Sequence, residues 1–370
     1  MASKFFGLTV AGYYGQRDLD VPDKVGLEIE MEGVGNGGFN PKPVEGWVTH
    51  DDGSLRGGIE YVSNGPRTPA QVVDDLARLR EEFERINFVP VFSFRTSLHV
   101  HVNVRDLTWL QVFNLWTLYT IFESMLIDIG GEERKGNVHC ISACDAEATV
   151  NSLRQLLSRR EINIDVAADY LQRVTSRDRR YAAFNWASIP QFGTVEFRSH
   201  RGTMDQAAVV NWVNTLIELK RAAKMFDNPQ DVVTAFSSAG LEQFSRNVFG
   251  DNHPVTTMIN SYSSDVWEAV RLVQEVAFCR KDWVKDKRQR KKREPQPELQ
   301  VNIVPDEEGE IRLNVRDIPW QNLVPQPHLG AWNEIGAGRA GPIGGMDPAI
   351  ERLINEQMLA ARRRAERRNG

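Results

Sequence analysis

From Val25 to Glu32 the chain reads Val-Gly-Leu-Glu-Ile-Glu-Met-Glu, a strict alternation of apolar and acidic side chains. Only extended backbone, with its period of two, sorts such a pattern into two clean faces; a helix would spread both sets around its circumference. The stretch is therefore read as a strand, with Leu27, Ile29 and Met31 on one face and Glu28, Glu30 and Glu32 on the other. The first face needs a covering layer. The second carries an electrostatic load, since two carboxylates ~4 Å apart repel by roughly 4 kcal/mol at an effective dielectric near 20. Solvent, protons or a cation must relieve it.

Other segments follow the same plan. Residues 58–63 place Glu60 opposite Ile59 and Tyr61, and residues 97–104 place Ser97, His99, His101 and Asn103 opposite Leu98, Val100, Val102 and Val104. In residues 193–200, Glu196, Arg198 and His200 alternate with Val195, Phe197 and Ser199. A further strand is expected over 181–187. Ordinary solvent-facing strands favour Lys, Thr and mixed charge, whereas these faces gather carboxylates, imidazoles and a guanidinium. Hard cations such as Mg²⁺ take carboxylate oxygens and keep positions for water or phosphate, and an added imidazole also suits Mn²⁺.

Apolar residues at helical spacing predict helices over 70–87, 107–129, 146–160, 165–175, 205–226, 231–250 and 261–284. The segment 107–129 is apolar nearly all round, but Gln111, Asn114 and Glu123 make it a buried helix rather than a membrane span. A chain of 370 residues with 41% hydrophobic content supports a substantial core. No secretory leader is read at the start, and the three cysteines, Cys140, Cys144 and Cys279, form no disulfide framework, so a cytoplasmic setting is expected. A zinc site at His139, Cys140 and Cys144 lacks a second ligand pair. The expected organisation is an arm or short first strand over 1–20, a catalytic unit over 21–285, a basic then Pro/Gly-rich segment over 286–346, and a basic helix over 347–370. The net charge of −5 conceals two basic runs, one opening on Lys285 and closing on Arg293, the other spanning Arg362 and Arg368.

Taken in order, Glu28-x-Glu30, Asp52 followed by Glu60 and Gly65-Pro66, His99-x-His101-x-Asn103, and Glu196-x-Arg198 resemble the metal and nucleotide motifs of glutamine synthetase and of glutamate-cysteine ligase. The wording of the strands is most similar to that of phage-type amidoligases in the same carboxylate-amine ligase superfamily, over residues 22–225. The resemblance implies an α+β fold like the glutamine synthetase catalytic domain: a curved, mainly antiparallel sheet with helices on its convex face. It implies one metal site from Glu30, Asp52 and Glu60, and a second from Glu28, His99 and Glu196. It sets His101 and Asn103 toward a nucleotide and Arg198 toward the transferring phosphate. Asp52 is shorter than the glutamate of glutamine synthetase, and Thr194 replaces an arginine, so Arg180 or Arg201 is expected to supply that charge.

The implied activity is ATP-dependent amide formation through an acyl phosphate, with Mg²⁺ or Mn²⁺, an unidentified carboxylate and an unidentified amine, free or linked to a peptide or protein. Three rival readings stay open. A cupin-like enzyme would use His99-x-His101 with a carboxylate, although only Asp106 follows closely. A phosphodiesterase would use the carboxylates alone. A nucleic-acid-binding protein would act through the runs at 285–293 and 362–368, which lack interleaved aromatic residues. No membrane association is expected, and subunit number is left open.

Overall fold

A computed structural model describes residues 4–33, 43–280 and 283. Most of the loop expected over 34–43, both basic runs, the 286–346 segment and the expected terminal helix lie outside the described residues.

Six strands form one sheet: β1 Val25–Met31, β2 Trp47–Asp51, β3 Ile59–Ser63, β4 Ser97–Asn103, β5 Phe184–Asn185 and β6 Thr194–Arg201, in spatial order β2-β3-β1-β4-β6-β5. All of its ladders are antiparallel. Eleven α-helices are described: α1 Val10–Tyr14, α2 Pro69–Arg85, α3 Trp109–Gly130, α4 Glu147–Leu157, α5 Ile164–Val174, α6 Ile189–Phe192, α7 Gln206–Ala223, α8 Pro229–Ala239, α9 Leu241–Phe249, α10 Pro254–Met258 and α11 Ser263–Ala277. The fold is α+β, as expected, and the described residues form a single sheet layer in place of the paired sheets of a cupin-type jelly roll.

The apolar strand faces do what alternation requires. Leu27, Ile29, Met31, Leu98, Val100 and Val102 are all at most 1% exposed and join one core cluster with α3, α7 and α11. α3 lies between the sheet and outer helices, which explains an apolar circumference in a helix of transmembrane length: it is 83% buried by protein. Its three polar positions each have a partner. Gln111 closes a capping box with Thr108, Asn114 Nδ2 donates to the carbonyls of Ala223, the last residue of α7, and of Phe226 just beyond it, and Glu123 accepts the Ala143 N–H at 2.7 Å.

Four local expectations change. Residues 4–14 form a 3₁₀ turn and α1 rather than a strand, with Phe5 stacked on Trp109 at 5.5 Å. The helix expected over 231–250 breaks at Gly240, whose φ of +78° disfavours other residues, into α8 and α9. The strand expected over 181–187 shrinks to the two residues of β5. In β6 a bulge interrupts the pairing between Leu98 and Val100 of β4. An extra residue in one strand shifts the alternation, so His200 turns to the helices and packs on Trp212 of α7 at 5.4 Å. It does not join Glu196 and Arg198.

Candidate active site

The polar faces of β1, β3, β4 and β6 converge because register places their functional residues side by side. Glu30 pairs with Glu60, Glu28 with His99, and His101 with Glu196. Directly opposed residues in an antiparallel pair share a face, so four strands contribute to one patch.

His99, 1% exposed, is its centre. Its Nδ1 lies 3.1 Å from Glu28 Oε2 and 3.5 Å from Glu196 Oε1, and its Nε2 lies 2.6 Å from Ser97 Oγ and 3.8 Å from Glu30 Oε1. Ser97 Oγ is also 2.5 Å from Glu30 Oε2, which accepts the Ser97 N–H as well. The Ser97 hydroxyl donates its one hydrogen to Glu30 and so accepts from His99 Nε2–H. Nδ1 is left facing the Glu28 and Glu196 carboxylates. Arg198 Nη1, 3.5 Å away, is the donor on that side.

Among the described residues, two groups have ligand atoms mutually within 4.8 Å: Glu28, His99 and Glu196, and Glu30, Glu60 and His99. The first is the expected triad. In the second His99 stands where Asp52 was expected. Asp52 instead accepts the Ser54 N–H at 2.8 Å, though its charge still acts on Glu60.

Electrostatics divide the carboxylates. Burial first, then the charges of Glu28 and Glu30, push Glu60 up to about 9, so it holds a proton at neutral pH. Burial would also raise Glu28, but the charges of His101 and His99 outweigh it and hold Glu28 well below the usual range. Glu196 is lowered the same way, burial being outweighed by Arg198, then His101 and His99. Arg198 Nη1 donates directly to Glu196, and Asn185 Nδ2 and Ser188 Oγ donate to its other oxygen at 2.6 and 3.2 Å.

His101 extends the patch into a cavity of about 270 Å³. Its Nε2 lies 2.9 Å from Glu28 Oε1 and its Nδ1 3.0 Å from Thr194 Oγ1. Leu19, Val62, Pro66 and Phe192 supply apolar walls, and Glu28 belongs to both cavity and cluster. Arg105 stitches two walls together, donating to Phe192 O at 2.9 Å and Arg17 O at 3.1 Å. Asn103, also lining the cavity, spends its amide on its surroundings: Nδ2 donates to Pro22 O at 2.9 Å, and Oδ1 accepts the Arg105 N–H at 3.2 Å.

The structure thus gathers Glu28, Glu30, Glu60, His99, His101, Glu196 and Arg198. It engages Arg201 and Arg180 elsewhere. Arg201, with its side chain 59% exposed, lies 3.8 Å from Glu133, and Arg180 stacks on Tyr181 at 4.8 Å and donates to its hydroxyl. Sequence reasoning placed Ser97 on the right face without giving it a role. It missed Asn185 and Ser188, because a two-residue strand and the entry to a four-residue helix leave no periodic signal.

No curated protein matches the chain. Residues 70–219, from α2 through most of α7, match the family model described as "Putative amidoligase enzyme". That stretch holds His99, His101, Glu196 and Arg198, whereas Glu28, Glu30 and Glu60 precede it. Over the matched residues the chain is similar to amidoligases, and this likeness supports an amide-bond-forming enzyme of amidoligase type.

Proposed function

We propose that the protein is an ATP-dependent carboxylate-amine ligase. The observation that carries the reading is the convergence of four acidic residues on one buried histidine, on the polar face of an antiparallel sheet, beside a cavity that shares Glu28. Such crowding fits a divalent cation. Glu60 retains a proton because burial and then the charges of Glu28 and Glu30 oppose its ionisation, and His99 Nδ1 already faces Glu28 and Glu196. Carboxylate oxygens with one imidazole nitrogen are a donor set for Mg²⁺ or Mn²⁺. Glu28, His99 and Glu196 would hold one ion and Glu30 and Glu60 a second, with Asp52 near enough to add charge. When bound, these ions would neutralise phosphate oxygens.

The remaining roles fall to the chain itself. The apolar walls around Phe192 suit a flat heterocyclic base, and His101 links that cavity to the cluster. Arg198, held by Glu196 and by the His139 carbonyl at 3.1 Å, is aimed across the cluster and can steady the charge of a transferring phosphoryl group. In the proposed reaction a substrate carboxylate oxygen attacks the γ-phosphorus of ATP, and the bond to the ADP oxygen breaks. The acyl phosphate then loses phosphate as an amine nitrogen bonds to the acyl carbon and gives up its proton. Burial of the strands' polar face excludes water, which would otherwise hydrolyse that intermediate.

The test is ADP release across a panel of carboxylates and amines, comparing wild type with Glu28→Gln and Glu196→Gln. We expect turnover that requires both co-substrates and Mg²⁺ and falls at least 100-fold in either variant. Undiminished turnover in both variants would refute the site.

A further inference from the structure

At the Glu30 end of the cluster, away from the Phe192 cavity, two guanidinium groups have no ion-pair partner among the described residues. Arg134 is 1% exposed, and no carboxylate among the described residues lies within ion-pair distance of it. Its Nη2 donates to the Arg198 carbonyl at 2.9 Å, while Nε and Nη1 are buried without a hydrogen-bond partner. Beside it, burial pushes the Cys140 thiol up despite the pull of Arg134, so the thiol supplies no negative charge. The Glu30 charge reaches Arg134 only from beyond ion-pair distance, and a buried guanidinium so placed is a costly arrangement that a bound anion would relieve.

A second guanidinium, Arg95, acts on the same His139 ring as Arg134 does. Arg95 Nη1 donates to Ser54 O at 3.2 Å, but its Nε is buried and unpartnered. Hydrogen bonds link this loop to the cluster. Asn137 Nδ2 donates to Phe94 O at 3.2 Å, Asn137 Oδ1 accepts the His139 N–H at 2.9 Å, and His139 O accepts from Arg198 Nε at 3.1 Å. Burial, then the charges of Arg198, Arg134 and Arg95, push the His139 imidazole down to about 4, so the ring is neutral and offers one N–H.

We propose that Arg95, Arg134 and His139 form an oxyanion-binding site beside Arg198, taking a carboxylate or phosphate group of the reactants. The planar guanidinium forks match the two-oxygen geometry of either group. The inference rests on the ligase reading only for the guest's role. Under that reading a carboxylate guest belongs to the acid substrate and selects acids carrying a second anionic group, whereas a phosphate guest is the phosphoryl group in transit.

The test titrates inorganic phosphate and, separately, succinate into the full chain by calorimetry, without nucleotide or metal. Wild type, Arg95→Gln and a distant control, Arg173→Gln, are compared, with Arg95→Lys taking the place of Arg95→Gln if that variant melts below the assay temperature. We expect at least one anion to bind wild type and control equally, and to bind the Arg95 variant at least tenfold more weakly. Succinate alone identifies the substrate acid, phosphate alone the phosphoryl group. No binding of either anion by wild type, or equal binding by the Arg95 variant, overturns the site. Mg·ADP titrated in parallel separates the two claims: anion binding without nucleotide binding removes the ligase reading and leaves this site standing, and the reverse pattern removes this site alone.

Discussion

His99 shows how one side chain organises its neighbours. The Ser97 hydroxyl, committed to Glu30, holds Nε2 of the ring, and Nδ1 is thereby presented to Glu28 and Glu196. Glu60 is the counterpart among the acids, protonated because burial and two neighbouring carboxylates oppose its charge. A cation arriving beside it must displace that proton, since metal ligands bind deprotonated. The sign follows from its pKa of about 9: at pH 7 the free site holds the proton and the loaded site does not. Calorimetry of Mg²⁺ binding in buffers of different ionisation enthalpy should therefore report release of ~1 proton per Glu60 site filled. Affinity should rise with pH up to about 9. In Glu60→Gln the release should vanish, and persistence of the full proton count there would exclude Glu60 as its source.

Among the elements, the contact between the end of α3 and the β6 bulge governs the arrangement of the site. Ser199 lies on the helix side, where its Oγ and Tyr119 Oη of α3 share a hydrogen bond, and the bulge sends His200 to that side as well. It leaves Arg198 facing the cluster. Gly130, the last residue of α3, permits this approach: a Cβ there would fall 1.8 Å from Ser199 O, inside contact distance of backbone that cannot swing away. Gly130→Ala should force the helix from the strand and cost roughly 1–3 kcal/mol, the range for overpacking a close-packed interior. Urea unfolding measures the loss. Because Arg198 sits next to the displaced backbone, ADP release should fall as well, and a variant equal to wild type in both stability and activity would show that the bulge does not set the site.

At the scale of the whole molecule, one sheet serves two purposes. Its apolar face is anchored on α3 and the helices around it, and that rigid backing lets the other face hold charged groups close together. A ligand spanning cluster and cavity should stabilise the native state, by ~2.7 kcal/mol at a hundred times its dissociation constant. Mg·ADP should accordingly raise the melting temperature, with little effect on Glu28→Gln, and an unchanged melting curve for wild type would count against a nucleotide site. The period-two code of β1, β3 and β4 made the strands, the two faces and the residues of the cluster legible in the sequence, because side-chain direction in a strand is a local property of extended backbone. His200 escaped that code, as one added residue in a bulge reverses direction without altering the local pattern of residue types. The grouping of Glu30 and Glu60 around His99, the outward engagement of Arg180 and Arg201, and the meeting of Arg95, Arg134 and His139 depend on pairing register and on loops far apart in the chain. Those distances are products of packing between elements, and no local periodicity encodes them.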